Sequence, residues 1–170
     1  MNITFKKPFF AIVMASLLLA GCGSAATNLP EAEKTVHQNS SESGKIATDL
    51  ANSIVIDEDG SANYEQIAKN AGEAKNSLNA MKETVEKAGV SENATQMQEN
   101  AAIQIDAVSR IVAKVQELAN NAISAEAGSE ELDQIVKQLN GLKLRLEGSQ
   151  TKFDELNQEL IDAMSQEQAS

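Results

Sequence analysis

The chain has 170 residues, enough for one ordinary domain, and carries 14 Lys+Arg against 25 Asp+Glu for a net charge of −11 at pH 7. That balance argues against binding nucleic acid through its phosphates, which needs a basic face, and against electrostatic docking on anionic lipid. One cysteine and 3% aromatics without tryptophan exclude an internal disulfide and a multi-cysteine metal site, and leave little with which to wall a large ligand pocket.

Met1 to Lys7 carries two lysines and no acid, and Pro8 to Gly21 is an apolar run that ends in small residues. A membrane-spanning helix needs about 20 apolar residues, so this run is short for a permanent span. Its order of basic start, apolar core and small exit is that of a secretory signal peptide. The run ends in Leu19-Ala20-Gly21-Cys22, and Cys22 is the only cysteine. This stretch resembles the lipobox of bacterial lipoproteins, over residues 1–22 only. The resemblance implies cleavage between Gly21 and Cys22 and a diacylglyceryl group on the Cys22 sulfur. Two or three acyl chains anchor stably, because each buried CH₂ adds about 0.8 kcal/mol. Without Lys6 and Lys7 the 14 basic residues become 12 against 25 acidic, so the processed chain carries −13.

The resemblance also implies a place. In a Gram-positive host the protein would sit on the outer face of the plasma membrane. In a Gram-negative host it would sit in the outer membrane facing the periplasm, since Gly23 and Ser24 lack the aspartate that holds many enterobacterial lipoproteins at the inner membrane. The segment from Met14 to Gly21 further resembles the octapeptides that some Gram-positive lipoprotein leaders release as mating pheromones.

Residues 22–44 are rich in Ser, Thr, Asn, Ala and Glu with one Pro, which reads as a lipidated start and flexible tether. His37, the only histidine, falls inside it. Ile46, Leu50 and Ile54 mark a short amphipathic helix over about 45–56. Asp57-Glu58-Asp59-Gly60-Ser61 then offers oxygens at alternate positions, as the start of a calcium loop would, and Asp57, Asp59 and Ser61 are weak metal-ligand candidates. The loop pattern fails further on: Ala62 stands where glycine is needed and Ala68 where a bidentate Glu is needed. The simpler reading is an acidic turn with Ser61 capping the next helix.

Three long helices follow. Tyr64, Ile67, Ala71, Ala74, Leu78, Met81, Val85 and Ala88 alternate spacings of three and four, the seam of a heptad. Gly89 stops that helix and Ser91 can cap the next, which runs over 92–124 with Ala101, Ile105, Val108, Val112, Val115, Ala119 and Ala122 on its seam. Met97, Ile111 and Leu118 widen this stripe, so the helix should touch two neighbours. Ser129 caps a third helix over 130–164, whose seam holds Leu132, Ile135, Leu139, Leu142, Leu146, Ser149, Phe153, Leu156, Leu160 and Ala163. Gly141 and Gly148 each cost it about 1 kcal/mol relative to Ala, with bending expected near 148–151. Residues 166–170 read as a frayed tail.

The expected fold is therefore all-α: an antiparallel three-helix bundle over 45–165 with a short extra N-terminal helix. Any of the seams could instead pair between chains as a homo-oligomer. No histidine follows position 37, no Glu-x-x-His pair and no glycine-rich phosphate loop occur, and the carboxylates lie mostly off the seams. No cofactor and no enzymatic activity are expected. The functional expectation is a lipid-anchored helical envelope protein that acts on protein partners in a structural, scaffolding, secretion or conjugation role. A bundle that binds a small ligand or metal is the alternative.

Overall fold

The computed structural model describes residues 29–168, with side chains to Gln166. All its regular structure there is helical: α1 (Glu31–Ser53), α2 (Tyr64–Glu86), α3 (Thr95–Ser124), α4 (Glu130–Glu147) and α5 (Ser149–Gln168), with a single 3₁₀ turn at Glu92–Ala94 ahead of α3. The seams explain why. Every seam residue of α3 is buried, and on α2 Tyr64, Ile67, Ala71, Leu78 and Val85 are buried with the remaining seam positions half-covered. Each helix presents one apolar stripe that only another helix can cover.

Antiparallel neighbours follow from cross-links at known levels. Lys82 Nζ meets Asp106 Oδ1 at 2.7 Å between α2 and α3. Asn157 Nδ2 donates to Ser41 Oγ at 2.8 Å and Lys143 Nζ to the Ile54 carbonyl at 3.0 Å, which sets α1 against α4–α5 in opposite direction. α1 and α3 each lie beside both α2 and the α4–α5 arm. The result is an up-down-up-down arrangement of four arms. One end is formed by the start of α1, the α2–α3 junction and the end of α5. The opposite end is formed by the α1–α2 loop and the α3–α4 turn.

The fourth arm is a correction to the sequence reading. Residues 31–44 are helix and not tether, and the helix expected over 45–56 is the second half of a 23-residue element. Six positions of α1 and its C-cap residue keep the heptad spacing, namely Glu33, Val36, Ser40, Ser43, Ala47, Leu50 and Ile54, and all seven are buried. Four of these are small or polar, so the stripe is invisible when only large apolar residues are counted. The third long helix is two: α4 ends at Glu147 with Gly148 as its C-cap, and α5 begins at Ser149, close to where bending was expected. Gly148 keeps a right-handed backbone, and its N–H still reaches the Leu144 carbonyl at 3.2 Å. α5 continues to Gln168, past the expected fraying point.

Of the helix caps expected at Ser129 and Ser61, one is observed and one is not. Ser129 caps α4 as read, accepting from the Leu132 N–H at 3.1 Å. Ser61 does not cap α2; Asn63 does, its Oδ1 accepting from the Gln66 N–H at 3.0 Å. Gly60 and Gly128 occupy left-handed backbone at φ 80° and 74°, which only glycine adopts without strain, and each turns the chain at the same end of the bundle.

Candidate functional site

Gly21 and Cys22, the cleavage and lipidation residues, lie outside the described residues. The weak metal candidates do come together, but as a self-satisfied turn. Ser61 Oγ donates to Asp59 Oδ1 at 2.7 Å and lies 3.2 Å from Asp57 Oδ2, while the Ser61 N–H reaches Asp59 Oδ1 at 3.0 Å. The Ser61 hydroxyl and N–H hold the Asp59 carboxyl below its usual range. The Tyr64 hydroxyl closes the turn from beneath by donating to the Gly60 carbonyl at 2.5 Å. Burial, with the Asp59 charge second, raises the Tyr64 pKa. Among the described residues no group of three His, Cys, Asp or Glu is placed to hold a metal ion.

The opposite end holds the least expected side chains. Glu33, one turn into α1, is 2% exposed, and its Oε1 accepts the Ser91 backbone N–H at 2.7 Å. Burial works against its ionisation, but hydrogen bonds from Ser91 and from its own backbone N–H outweigh it, so its pKa falls below the usual carboxylate value. The Ser91 hydroxyl lies 3.7 Å from Met164 Sδ on α5. One carboxylate thus ties α1 to the α2–α3 junction, beside the end of α5. Ser91, read as a cap, makes no side-chain cap bond; its N–H is used by Glu33 instead.

His37 stands one turn after Glu33 on the inner face of α1, buried, and burial lowers its pKa. It belongs to the helical core and not to a tether. Further along, Ser43 Oγ donates to the Asn39 carbonyl at 2.7 Å and sits 3.4 Å from Met81 Sδ. Ser40 Oγ is buried without a hydrogen-bond partner. Met81 and Met164 thus each lie beside a serine hydroxyl, that of Ser43 and that of Ser91.

Space inside the bundle is scarce. A groove between α1 and α2, lined by Ile46, Leu50 and Ala74, encloses about 60 Å³, far below the several hundred that a cofactor occupies. A shallow open depression of about 460 Å³ lies between the start of α2 and the end of α3, lined by Ala62, Asn63, Tyr64, Glu65, Ala122 and Ile123. On the α2–α3 face, Asp106 bridges Lys82 at 2.7 Å and Arg110 at 2.6 Å. The Lys82 hydrogen bond chiefly lowers the Asp106 pKa, and the same contact raises that of Lys82. The Lys82–Asp106 pair braces α2 to α3, while Arg110–Asp106 is an i,i+4 pair within α3.

Glu33 was missed by sequence reasoning, and His37 was placed in a tether. The signal that finds Glu33 is the unbroken three-four spacing from Glu33 to Ile54, once serine and glutamate are admitted as seam residues.

Compared with protein-family models, curated proteins and solved structures, the chain matches none.

Proposed function

We propose that the chain is a lipid-anchored protein of the bacterial envelope that works by binding other proteins. The observation that carries the first half is Leu19-Ala20-Gly21-Cys22, with the chain's one cysteine at the position where the motif needs it. No described helix is long and apolar enough to cross a membrane, so a covalent lipid is the attachment consistent with the signal-like leader. Support for the second half is physical. A filled bundle with a 60 Å³ groove has surface to offer and little interior. Its acidic outer face suits recognition of basic protein surfaces.

Cys22→Ser tests the anchor. The expected result is loss of membrane retention on fractionation with an unchanged helical circular-dichroism spectrum. A variant that stays firmly membrane-bound would sink the anchor.

A further inference from the structure

The end of the bundle farthest from Leu29 brings exposed apolar side chains and a cluster of carboxylates together. α1, at 1.5 Å rise over its 23 residues, places this tip roughly 34 Å from the start of that helix. Two loops meet there. Gly60 packs beside Val136, where a Cβ would lie 3.6 Å from its Cγ2, and Ala62 faces Ala122 and Ile123 across the shallow depression. Ile123 is 47% exposed and Val55, on the adjoining loop, 65%. Around these apolar residues the α1–α2 loop (55–63) and the α3–α4 turn with the first turn of α4 (125–133) carry Asp57, Glu58, Asp59, Glu126, Glu130, Glu131 and Asp133, all exposed, and no lysine or arginine of their own; Lys143, on the Ile54 carbonyl, is the basic group beside them. At the other end, the start of α1, the 87–95 junction and the end of α5 carry Glu31, Glu33, Glu92 and Asp162 mixed with Lys34 and Lys87.

We infer that this tip is a docking surface for a basic, amphipathic segment of a partner protein, with an apolar side chain seated between Ala62 and Ile123 and Lys or Arg residues facing the surrounding carboxylates. The depression is too open to enclose a small molecule, but it fits one side chain of a larger surface. Charge decides between occupants. A second copy would bring seven further carboxylates against the same number, a repulsion that the apolar contact of Ile123 and Val55 does not offset. Nucleic acid is repelled outright. A cationic partner gains from both terms, and association with it is steered from a distance and weakens with salt.

The inference rests on the protein-binding part of the proposed function and is independent of the lipid anchor. Its test uses the full chain in detergent and, as probe, a fluorescein-labelled helical Lys/Leu peptide, read by anisotropy at low and high salt. Neutralising the tip with D57N/E58Q/D59N/E126Q is expected to weaken binding about tenfold, and I123S about fivefold. An equal neutralisation on the α4–α5 face, E147Q/D154N/E155Q/E159Q, should change it less than about twofold. Thermal melts confirm that each variant is folded. Equal losses from the two neutralised faces, or no binding at all, would overturn the proposal. So would sedimentation showing a dimer that I123S disperses, which would assign the tip to a second copy. If C22S stays membrane-bound while tip binding behaves as expected, only the anchor fails.

Discussion

α2–α3 and α1–α5 are both antiparallel helix pairs of one bundle, yet they are held together differently. Between α2 and α3 the seam is aliphatic: Leu78, Val85, Ile105, Val108, Val112 and Val115 are all without solvent exposure. Polar braces sit at its margin, where Lys82 meets Asp106 and Ser109 Oγ donates to Asn79 Oδ1 at 2.7 Å. Between α1 and α5 the polar groups are inside. On α1 and α5, Ser40, Ser43, Ser149 and Asn157 are each 6% exposed or less, with Glu33 and His37 also buried on α1 and Ser43 turned toward Met81 of α2. A serine can serve on a seam when its hydroxyl bonds back to its own helix. Ser43 reaches the Asn39 carbonyl and Ser149 the Arg145 carbonyl, at 2.7 and 3.0 Å. Such a serine then packs as a small residue at the cost of slightly weakening its helix.

Small residues on α1 also make room. Gly44 lies against the Gln150 side chain, and Ser41 bonds Asn157. Phe153, the largest fully buried side chain, falls between those two levels on α5, opposite the Ser40–Gly44 stretch. The largest expected effects come from removing large side chains on either pair. Leu78→Ala in α2 should cost about 2–5 kcal/mol and Phe153→Ala about 3–5 kcal/mol, read from urea midpoints. If the pairs differ as described, Ser43→Ala should cost under about 1 kcal/mol, because its hydroxyl bonds only its own helix and a methionine sulfur. A Ser43→Ala loss comparable to Leu78→Ala would erase the distinction.

Next in size is the Glu33 tie. Glu33→Ala leaves the Ser91 N–H without its carboxylate and should cost about 1–3 kcal/mol. Acid should reproduce part of this. Glu33 has a folded pKa below its ordinary 4.5, so its contribution is complete above that value and is lost as pH falls through the folded pKa. His37 has a folded pKa below its ordinary 6.5, because burial keeps it neutral. The unfolded chain therefore binds that proton first, and stability declines as pH falls from about 6.5 toward the folded value. Urea midpoints from pH 8 to pH 5 should drop for the native chain and flatten in His37→Gln. An unchanged slope in His37→Gln would remove the histidine from the account. Amide exchange offers a spatial check, with the first three turns of α1 expected to open below the free energy needed for the middle of α3.

The same contrast explains what the sequence made legible. The positions of α2, α3 and the α4–α5 arm follow from runs such as Ile105-Val108-Val112-Val115, where large residues mark the buried stripe directly. Ser129 is readable as a cap because the first turn behind it is acidic and the turn before it ends in Gly128. α1 was half-missed because its first two heptads carry Glu33, Ser40 and Ser43 where hydrophobic residues are expected, and a polar residue announces its burial only through partners such as Ser91, far away in sequence. The α2 cap slipped from Ser61 to Asn63 because Asp59 takes the serine hydroxyl for its own turn. At the tip, the acids of both loops are plain in the sequence, but their meeting around Ala62 and Ile123 depends on which helices are neighbours.

The smallest expected effect is the sharpest probe of the α1–α5 pair. Ser40 is 1% exposed, and its hydroxyl has no hydrogen-bond partner, so burying it costs desolvation with nothing returned. Replacing it with alanine removes the uncompensated hydroxyl, keeps nearly the same volume and improves helix propensity. Ser40→Ala should therefore raise stability, by up to about 1 kcal/mol. Gly141→Ala gives the comparison, since Gly141 is exposed and a Cβ there meets nothing within 4 Å. It should gain about 1 kcal/mol from helix propensity alone. If Ser40→Ala instead destabilises while Gly141→Ala stabilises, the Ser40 hydroxyl is bonded in solution to an internal water that bridges it to a second polar group. The seam between α1 and α5 would then be a hydrated one, held by directional bonds and not by the packing of small residues around Phe153.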